Sequence, residues 1–222
     1  MPQRKNAFKL SAAEQDTFKR AVTAMIADGS YLKLVKIHAD MSHHMHTMGS
    51  DVARVGTWRF LSWHRAYLIH MEAELVKKES AAFIPYWHWV DGGVPDWLKT
   101  FKPTVDGVVN QRNDLTTSIT DAARITELMA KTDYFDFSYA LELDPHNQGH
   151  VKLGAPMRSV PIAPSDPIFW MHHGEVDRIW ADWQAANPGK GPILTGADLI
   201  MDPWTETVSN LSSISSLGYS YA

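Results

Sequence analysis

The stretch DPIFWMHHGEVDRIWADWQ, residues 166–184, places two adjacent histidines inside a long apolar segment. A helix is predicted to begin after Asp166-Pro167 and to run to about Gln184, because bulky apolar residues recur through it. His172 and His173 lie among phenylalanine and tryptophan residues in this segment. A histidine with such neighbours is either a hydrogen-bonded core residue or a metal ligand, and two adjacent ones favour a ligand.

Two further stretches carry histidines that a helix would direct inward. HNQGH, residues 146–150, separates His146 and His150 by four positions, which puts both side chains on one helix face about one turn apart. RFLSWHRAYL, residues 59–68, surrounds His64 with aromatic and aliphatic residues. Each stretch alone is weak evidence for a metal site. Together the stretches predict inward-facing histidines on three helices.

The composition restricts the kind of site that these histidines could form. The chain has 11 histidines and 9 tryptophans but no cysteine, so disulfides, thiolate ligands and a cysteine nucleophile are excluded. A metal site must then consist of histidine and carboxylate, within bulky apolar walls. Imidazole ligands suit copper, zinc, iron or nickel, and zinc on three histidines with an open position stays possible at this point.

Charge and hydropathy exclude two classes of partner. The net charge is −4, and acidic and basic residues are mixed along the 222 residues, so no basic surface for nucleic acid is expected. No apolar run is long enough to span a membrane, and the first residues lack the apolar core of a secretory signal. The sequence therefore predicts a cytoplasmic protein, or one exported together with a partner, with neither a nucleic-acid nor a membrane partner.

The pattern of helices and breaks predicts a mainly α fold. Ser11 and Glu14 form a capping box before one helix, and further helices are expected from about Ser30, from Trp63 to Lys78 and from residue 120 to 130. Prolines and glycines break up residues 81–115 into a long irregular connection. We expect a single domain, 1–222, built as a four-helix bundle with long loops and few short strands, among them WTETV and YSY.

FLSWHRAYL, PHNQGH and DPIFWMHHGEVDRIWADWQ together resemble the two copper signatures of the tyrosinase family, the type-3 dicopper proteins that include catechol oxidases and hemocyanins. The resemblance extends over nearly the whole chain. It implies a four-helix bundle that holds two copper ions, each on three histidine nitrogens, with dioxygen as co-substrate. The family also implies a small phenolic substrate, and it leaves open a copper chaperone and the oligomeric state.

Five of the six expected copper ligands follow from the resemblance. His146 and His150 match the first two ligands of copper B, and the second histidine of the pair, His173, matches the third. On the copper A side, His38 matches the first ligand and His64 the third. The chain departs from the family pattern at Arg54-Val55-Gly56, where a histidine is usual, so the second copper A ligand must come from elsewhere.

The missing ligand is expected from IHADMSHHMHTM, residues 37–48, which also contains His43, His44 and His46. On a straight helix, His46 would lie about 80° from His38, nearer than His43 or His44. Eight residues of helix span about 12 Å, so the helix must loosen or end between residues 42 and 45. The sequence therefore predicts His46 as the ligand, with His43 as the serious rival because it needs less chain reach.

The resemblance also assigns residues around the metals. Glu142 and Asn147 match the glutamate and asparagine that hold a water in tyrosinases, and that water is thought to take the phenol proton. Val160 stands at the position of the family's gate residue, and Val151, directly after His150, is assigned with it to the pocket beside the cofactor. Asp177 is expected to orient a ligand by hydrogen bonding.

These observations predict a copper-dependent phenol oxidase that hydroxylates monophenols at the ortho position and oxidises o-diphenols to o-quinones. The alternatives are a catechol or o-aminophenol oxidase without monophenolase activity, an oxygen carrier of the hemocyanin type, and a zinc hydrolase. With no segment after residue 221 to plug the pocket, the enzyme is expected to be active without proteolysis.

Overall fold

The computed structural model describes residues 3–47 and 50–222. Its regular elements are mostly α-helices, joined by 3-10 turns and irregular connections, which confirms the predicted fold class. In chain order they are β1 Gln3–Arg4, α1 Ala12–Ala27, α2 Ser30–Ala39, α3 Ser50–Lys78, α4 Asp96–Lys99, α5 Ala122–Met129, α6 Tyr134–Leu141, α7 Asn147–Leu153, α8 Ile168–Ala186 and β2 Ser220–Tyr221.

Helix α1 begins and ends as its sequence predicts. The Ser11 side chain accepts from the Glu14 backbone while the Glu14 carboxylate accepts from the Ser11 backbone, so the capping box is complete. Gly29, with a φ of 79°, separates α1 from α2. That left-handed conformation costs glycine little, and it lets α2 fold back against α1.

Helix α3 is the central element of the bundle. It packs against α1, α6 and α8, and the histidine-bearing helices α2, α7 and α8 lie around the same core. Six tryptophans are fully buried, which confirms the expectation of bulky apolar walls. They are Trp63, Trp87, Trp89, Trp170, Trp180 and Trp183.

Two helix boundaries differ from those predicted. Helix α3 begins at Ser50 rather than near Trp63, and α2 ends at Ala39, before the predicted break between residues 42 and 45. The Asp40 side chain accepts from the Ser42 backbone N–H and so caps a 3-10 turn, Met41–His43. This local hydrogen bond replaces the next bond of the α-helix, which explains the early end of α2.

A π-helical turn, Glu142–His146, joins α6 to α7. Pro145 inside it has no backbone N–H to donate, so the regular α-helical ladder cannot continue through this position. The turn brings His146 to the start of α7 with His150 one turn further on, as the HNQGH spacing predicts.

The two described strands bring the ends of the chain together. Strands β1 and β2 pair in parallel, with Gln3 opposite Ser220 and Arg4 opposite Tyr221. The candidate strand YSY is therefore confirmed, whereas Thr207 of WTETV makes only an isolated bridge with Ile200. Within the described ranges, no helix is both long enough and apolar enough to cross a membrane.

Candidate metal centre

Histidine side chains gather in two triads, in each of which the ring nitrogens lie within 4.8 Å of one another. Each triad has two buried members and one partly buried member. By nitrogen spacing alone, the first triad is His38, His46 and His64, and the second is His146, His150 and His172.

In the first triad, main-chain carbonyls hold the Nδ1 atoms of His38 and His64 and leave their Nε2 atoms facing inward. The Nδ1 of His38 lies 2.9 Å from the carbonyl of Val160, and the Nδ1 of His64 lies 2.8 Å from that of Phe60. A ring whose Nδ1–H donates has its lone pair on Nε2. The Nε2 of His38 lies 3.3 Å from that of His46, and the buried Nε2 of His64 has no partner among the described residues. Converging lone pairs of this kind fit a metal cation.

The second triad repeats this arrangement at the start of α7. The Nδ1 of His150 lies 2.7 Å from the carbonyl of Met157, and the Nδ1 of His146 lies 3.0 Å from the side-chain oxygen of Asn147. The Nε2 atoms of His146 and His150 are 3.1 Å apart. Two imidazole lone pairs again face one another, as ligands of one metal do.

Hydrogen bonding distinguishes His172 from His173, although nitrogen spacing groups His172 with the second triad. Trp89 Nε1 donates to the Nδ1 of His172 at 3.1 Å, so its Nε2 carries the proton and donates to the carbonyl of His146 at 3.1 Å. His172 thus has no lone pair left for a metal. Both ring nitrogens of His173 are buried and without a hydrogen-bond partner in the described chain. Its ring stacks 4.2 Å from that of His64, between the two triads, so the hydrogen bonds outweigh the spacing.

Gly149, in the middle of HNQGH, lets His172 take this place. A Cβ atom at Gly149 would lie 2.3 Å from the Cε1 atom of His172. Only a residue without a side chain allows α8 to bring the imidazole so close to α7. The close contact supports a packing role for His172.

Burial keeps these imidazoles neutral. Loss of hydration lowers the pKa of His150 to about 4, with the charge of His46 as a smaller contribution. A group that loses its proton only near pH 4 is neutral at physiological pH, which is the state that can bind a metal. Desolvation is also the largest cause that lowers the pKa of His38, His64, His146, His172 and His173 well below the ordinary value.

The segment 40–47 turns the three histidines of the HHMH motif in different directions. His43 pairs with the carboxylate of Asp202, and its ring stacks 5.9 Å from that of Trp63. His44 is exposed, with a φ of 47° that reverses the chain. After this reversal, His46 points toward His38. The structure therefore brings His46, and neither of its rivals, into the first triad.

Arg59 of α3 fastens this segment to the C-terminal part of the chain. The buried guanidinium donates to the carbonyl of His43 at 3.1 Å and pairs with the carboxylate of Asp202. It also donates to the carbonyls of Asp198 and Ile200, both at 2.8 Å. One buried side chain thus joins residue 43 to residues 198–202, so the position of His46 depends on contacts far along the chain.

Gly56 and Glu142 complete the surroundings of His46. A Cβ atom at Gly56 would lie 1.8 Å from the carbonyl oxygen of His46. The segment 40–47 can therefore pack against α3 at this position only if the residue is glycine. The carboxylate of Glu142 accepts from the backbone N–H of Thr47 at 2.8 Å and from its hydroxyl at 2.5 Å. It also lies 3.5 Å from the Nδ1 of His46. Glu142 is therefore placed to orient the segment that carries His46.

A cavity of about 230 Å³ opens onto both triads, because two histidines of each line it. Asn147, Val151 and Val160 also line it, as expected of pocket residues, and Val160 binds His38 through its carbonyl. A larger cavity of about 730 Å³ near Lys190 has no histidine or carboxylate among its lining residues. The full lining of the smaller cavity is His38, His46, His146, Asn147, His150, Val151, Met157, Arg158 and Val160.

Asp177 does not have the role expected from its position four residues after His173. Its carboxylate accepts from Arg65 at 2.5 Å and from the hydroxyls of Tyr219 and Tyr221 at 2.7 and 2.5 Å. In the described structure it makes no hydrogen bond to a histidine, because the side chain turns toward these groups instead. The expectation that Asp177 orients a ligand is therefore wrong.

Several residues that support the site are not indicated by any side-chain pattern in the sequence. Met157 and Val160 act through main-chain carbonyls, which a side-chain pattern does not reveal. Asp202 is far from the histidine motifs in sequence and has no neighbouring signature. Thr47 and Arg158 had a signal only in their positions, directly after His46 and two residues before Val160.

Comparison with known proteins gives a consistent result. The family model described as the common central domain of tyrosinase matches residues 28–106 and 97–186. A tyrosinase of Streptomyces glaucescens is 28% identical, over 93% of this chain and 94% of that protein. Hemocyanin 2 of Megathura crenulata is also 28% identical, over 82% of this chain but only 6% of the hemocyanin.

Solved structures share the fold. A polyphenol oxidase from Thermothelomyces thermophila superposes with a TM-score of 0.75 at 16% identity, covering 100% of this chain and 89% of that one. A functional unit of octopus hemocyanin gives a TM-score of 0.73 at 23% identity, covering 100% and 68%. With two buried histidine triads, a family model matched over most of the chain and a tyrosinase of similar length among its relatives, the chain belongs to the tyrosinase family and is an oxidoreductase with a binuclear copper centre.

Proposed function

We propose that this oxidoreductase is a phenol oxidase that hydroxylates monophenols at the ortho position and oxidises the resulting catechols to o-quinones. The observation that carries the proposal is the 230 Å³ cavity, which two histidines of each triad line. A substrate in it would contact both metal sites. The volume lies just below the range of about 300–1,000 Å³ typical of pockets for drug-sized ligands, so it suits a single aromatic ring.

Each copper is assigned three imidazoles. His173 is chosen over His172 because its ring nitrogens are free, and His46 completes the first site because its Nε2 lies 3.3 Å from that of His38. Main-chain carbonyls that accept from the Nδ1 atoms of His38, His64 and His150 fix the orientations of those three rings. The proposed ligands of copper A are His38, His46 and His64, and those of copper B are His146, His150 and His173.

The bound coppers would activate dioxygen, which is the oxidant, and the protein would position the phenol and remove its proton. Asn147 directly follows His146 in the chain and lines the cavity. Glu142 precedes His146 by four residues, at the start of the π-helical turn. We assign both residues to a water that takes the phenol proton. A monophenol and one dioxygen give one o-quinone and one water, because the catechol stage supplies the two electrons that the hydroxylation needs. A catechol supplied as substrate loses two electrons and two protons, so two catechols reduce one dioxygen to two waters.

Metal loading and turnover test the proposal. Copper-reconstituted protein is expected to hold two coppers per chain and to oxidise 4-methylcatechol with one dioxygen consumed for every two catechols. Reversible oxygen binding without turnover would identify an oxygen carrier instead. Saturation at one metal, or preferential loading of zinc without oxygen uptake, contradicts a dicopper oxidase. If the protein oxidised 4-methylcatechol but did not hydroxylate 4-methylphenol, it would be a catechol oxidase without monophenolase activity.

Asn147→Ala tests the proton-accepting water. A positioned base contributes about 10²- to 10⁴-fold to a rate, so the variant should lose about 100-fold in monophenol turnover. Diphenol turnover should fall much less, because the main-chain carbonyl of Glu142, 3.2 Å from the Nδ1 of His146, remains to hold that ring. It serves as the control within the same protein. An unchanged ratio of 4-methylphenol to 4-methylcatechol turnover would show that Asn147 has no such role.

A further inference from the structure

Arg158 is the one residue with a permanent charge among those that line the copper cavity. The other lining residues are histidines, an amide and apolar side chains, and no carboxylate is among them. Apart from the metal ions, the guanidinium is therefore the one permanently charged group of the lining that a substrate would meet.

The guanidinium of Arg158 is also free to bind a ligand. Its side chain is exposed and has no ion pair or hydrogen bond with any other residue of the described ranges. Buried arginines behave differently: Arg59, Arg65 and Arg112 each have a carboxylate partner. An unpaired guanidinium beside a cavity is therefore available to an anionic group from outside.

The backbone holds Arg158 in a fixed relation to both metal sites. Its N–H donates to the carbonyl of Gly154 at 2.8 Å. The carbonyl of the preceding residue, Met157, holds the His150 ring, and that of Val160, two residues later, holds the His38 ring. Arg158 thus lies on the short segment that bridges one histidine of each triad. Its backbone is therefore held beside the cavity in which a substrate ring would bind, and its side chain lines that cavity.

We propose that Arg158 selects single-ring phenols and catechols whose side chain ends in a carboxylate. This inference rests on the proposed phenol oxidase function and specifies its substrate class. When the ring hydroxyls of a substrate face the histidines, the side chain on the opposite side of the ring extends to the edge of the cavity, where Arg158 lies. A planar guanidinium binds a carboxylate through two parallel hydrogen bonds, and it repels an ammonium group.

The test compares three catechols that differ in the charge of the side chain. They are 3-(3,4-dihydroxyphenyl)propionate, neutral 4-methylcatechol and cationic dopamine, each assayed with the wild type, Arg158→Gln and Arg158→Lys. For the propionate, Arg158→Gln should lower kcat/KM about five- to tenfold, mainly through KM, because charged hydrogen bonds are worth more than neutral ones but exposure weakens them. 4-Methylcatechol should change less than about twofold, dopamine should improve, and Arg158→Lys should restore part of the preference.

A binding measurement checks the same point without turnover. 3-Phenylpropionate carries the carboxylate but has no ring hydroxyl to oxidise, and its affinity measured by calorimetry should fall in Arg158→Gln. Equal changes for all three catechols, or no change in either assay, would overturn the role of Arg158. If the wild type did not oxidise 4-methylcatechol, the phenol oxidase function itself would be overturned. Failure of the role of Arg158 can therefore be distinguished from failure of the proposed function.

Discussion

His173→Ala is expected to retain one copper per chain instead of two, and His172→Gln is expected to retain both. In His172 both ring nitrogens are used, by Trp89 and by the carbonyl of His146, whereas both ring nitrogens of His173 are free and buried. Removing a residue that only supports a ligand typically costs about 10- to 100-fold in metal affinity, so losing a ligand should cost more than about 100-fold. Because His173→Ala loses its second copper, its rate of catechol oxidation should also fall.

Copper content, measured by elemental analysis after dialysis, decides this comparison. Glutamine at position 172 keeps an acceptor and a donor for the two existing hydrogen bonds, so that variant should keep the fold. His173→Gln serves as a second variant that leaves a smaller void than alanine, and circular dichroism checks that both fold. If His172→Gln lost a copper while both variants of His173 kept two, then His172, as nitrogen spacing suggests, would be the third ligand of copper B.

Gly56→Ala is expected to displace His46 and to empty copper A. The new Cβ atom would lie 1.8 Å from the carbonyl oxygen of His46, and backbone on both sides of this contact cannot move away as a flexible side chain can. Forcing extra atoms into a packed region typically costs about 1–3 kcal/mol. We expect that the loop moves rather than α3, so copper content should fall to one per chain and the melting temperature should drop.

Gly191→Ala is the matched control for this substitution. A Cβ atom there meets no other atom within 4 Å, and the residue is not among the glycines with positive φ. It should keep two coppers and the melting temperature of the wild type. Full copper loading in Gly56→Ala would mean that His46 does not need its present position, and hence that copper A takes another ligand.

The histidines on helices could be predicted from sequence because helix geometry fixes which residues share a face. His146 and His150 lie one turn apart on α7, and their spacing alone indicated this. The prediction of His46 as a ligand rested on helix geometry that the structure does not have. The straight-helix angle that favoured it does not apply, because α2 ends at Ala39 and the reversal at His44 turns His46 inward.

Contacts between distant parts of the chain could not be predicted in the same way. The hydrogen bond between His43 and Asp202 joins residues separated by 159 positions, and no local pattern indicates it. The error over Asp177 has a similar cause, since its partners Tyr219 and Tyr221 come from the C-terminal strand region. The cytoplasmic location and the single-domain organisation stay predictions.

The anchoring of residues 40–47 by Arg59 and Asp202 makes two remote segments one cooperative unit. Residues 40–47 cannot move away without breaking the bond from Arg59 to the carbonyl of His43 and the contact of His43 with Asp202. The C-terminal segment cannot leave without breaking that contact and the bonds from Arg59 to the carbonyls of Asp198 and Ile200. Local unfolding usually involves such contiguous units rather than single loops. A substitution near residue 200 would therefore disturb copper A before copper B, whose histidines all lie between residues 146 and 173.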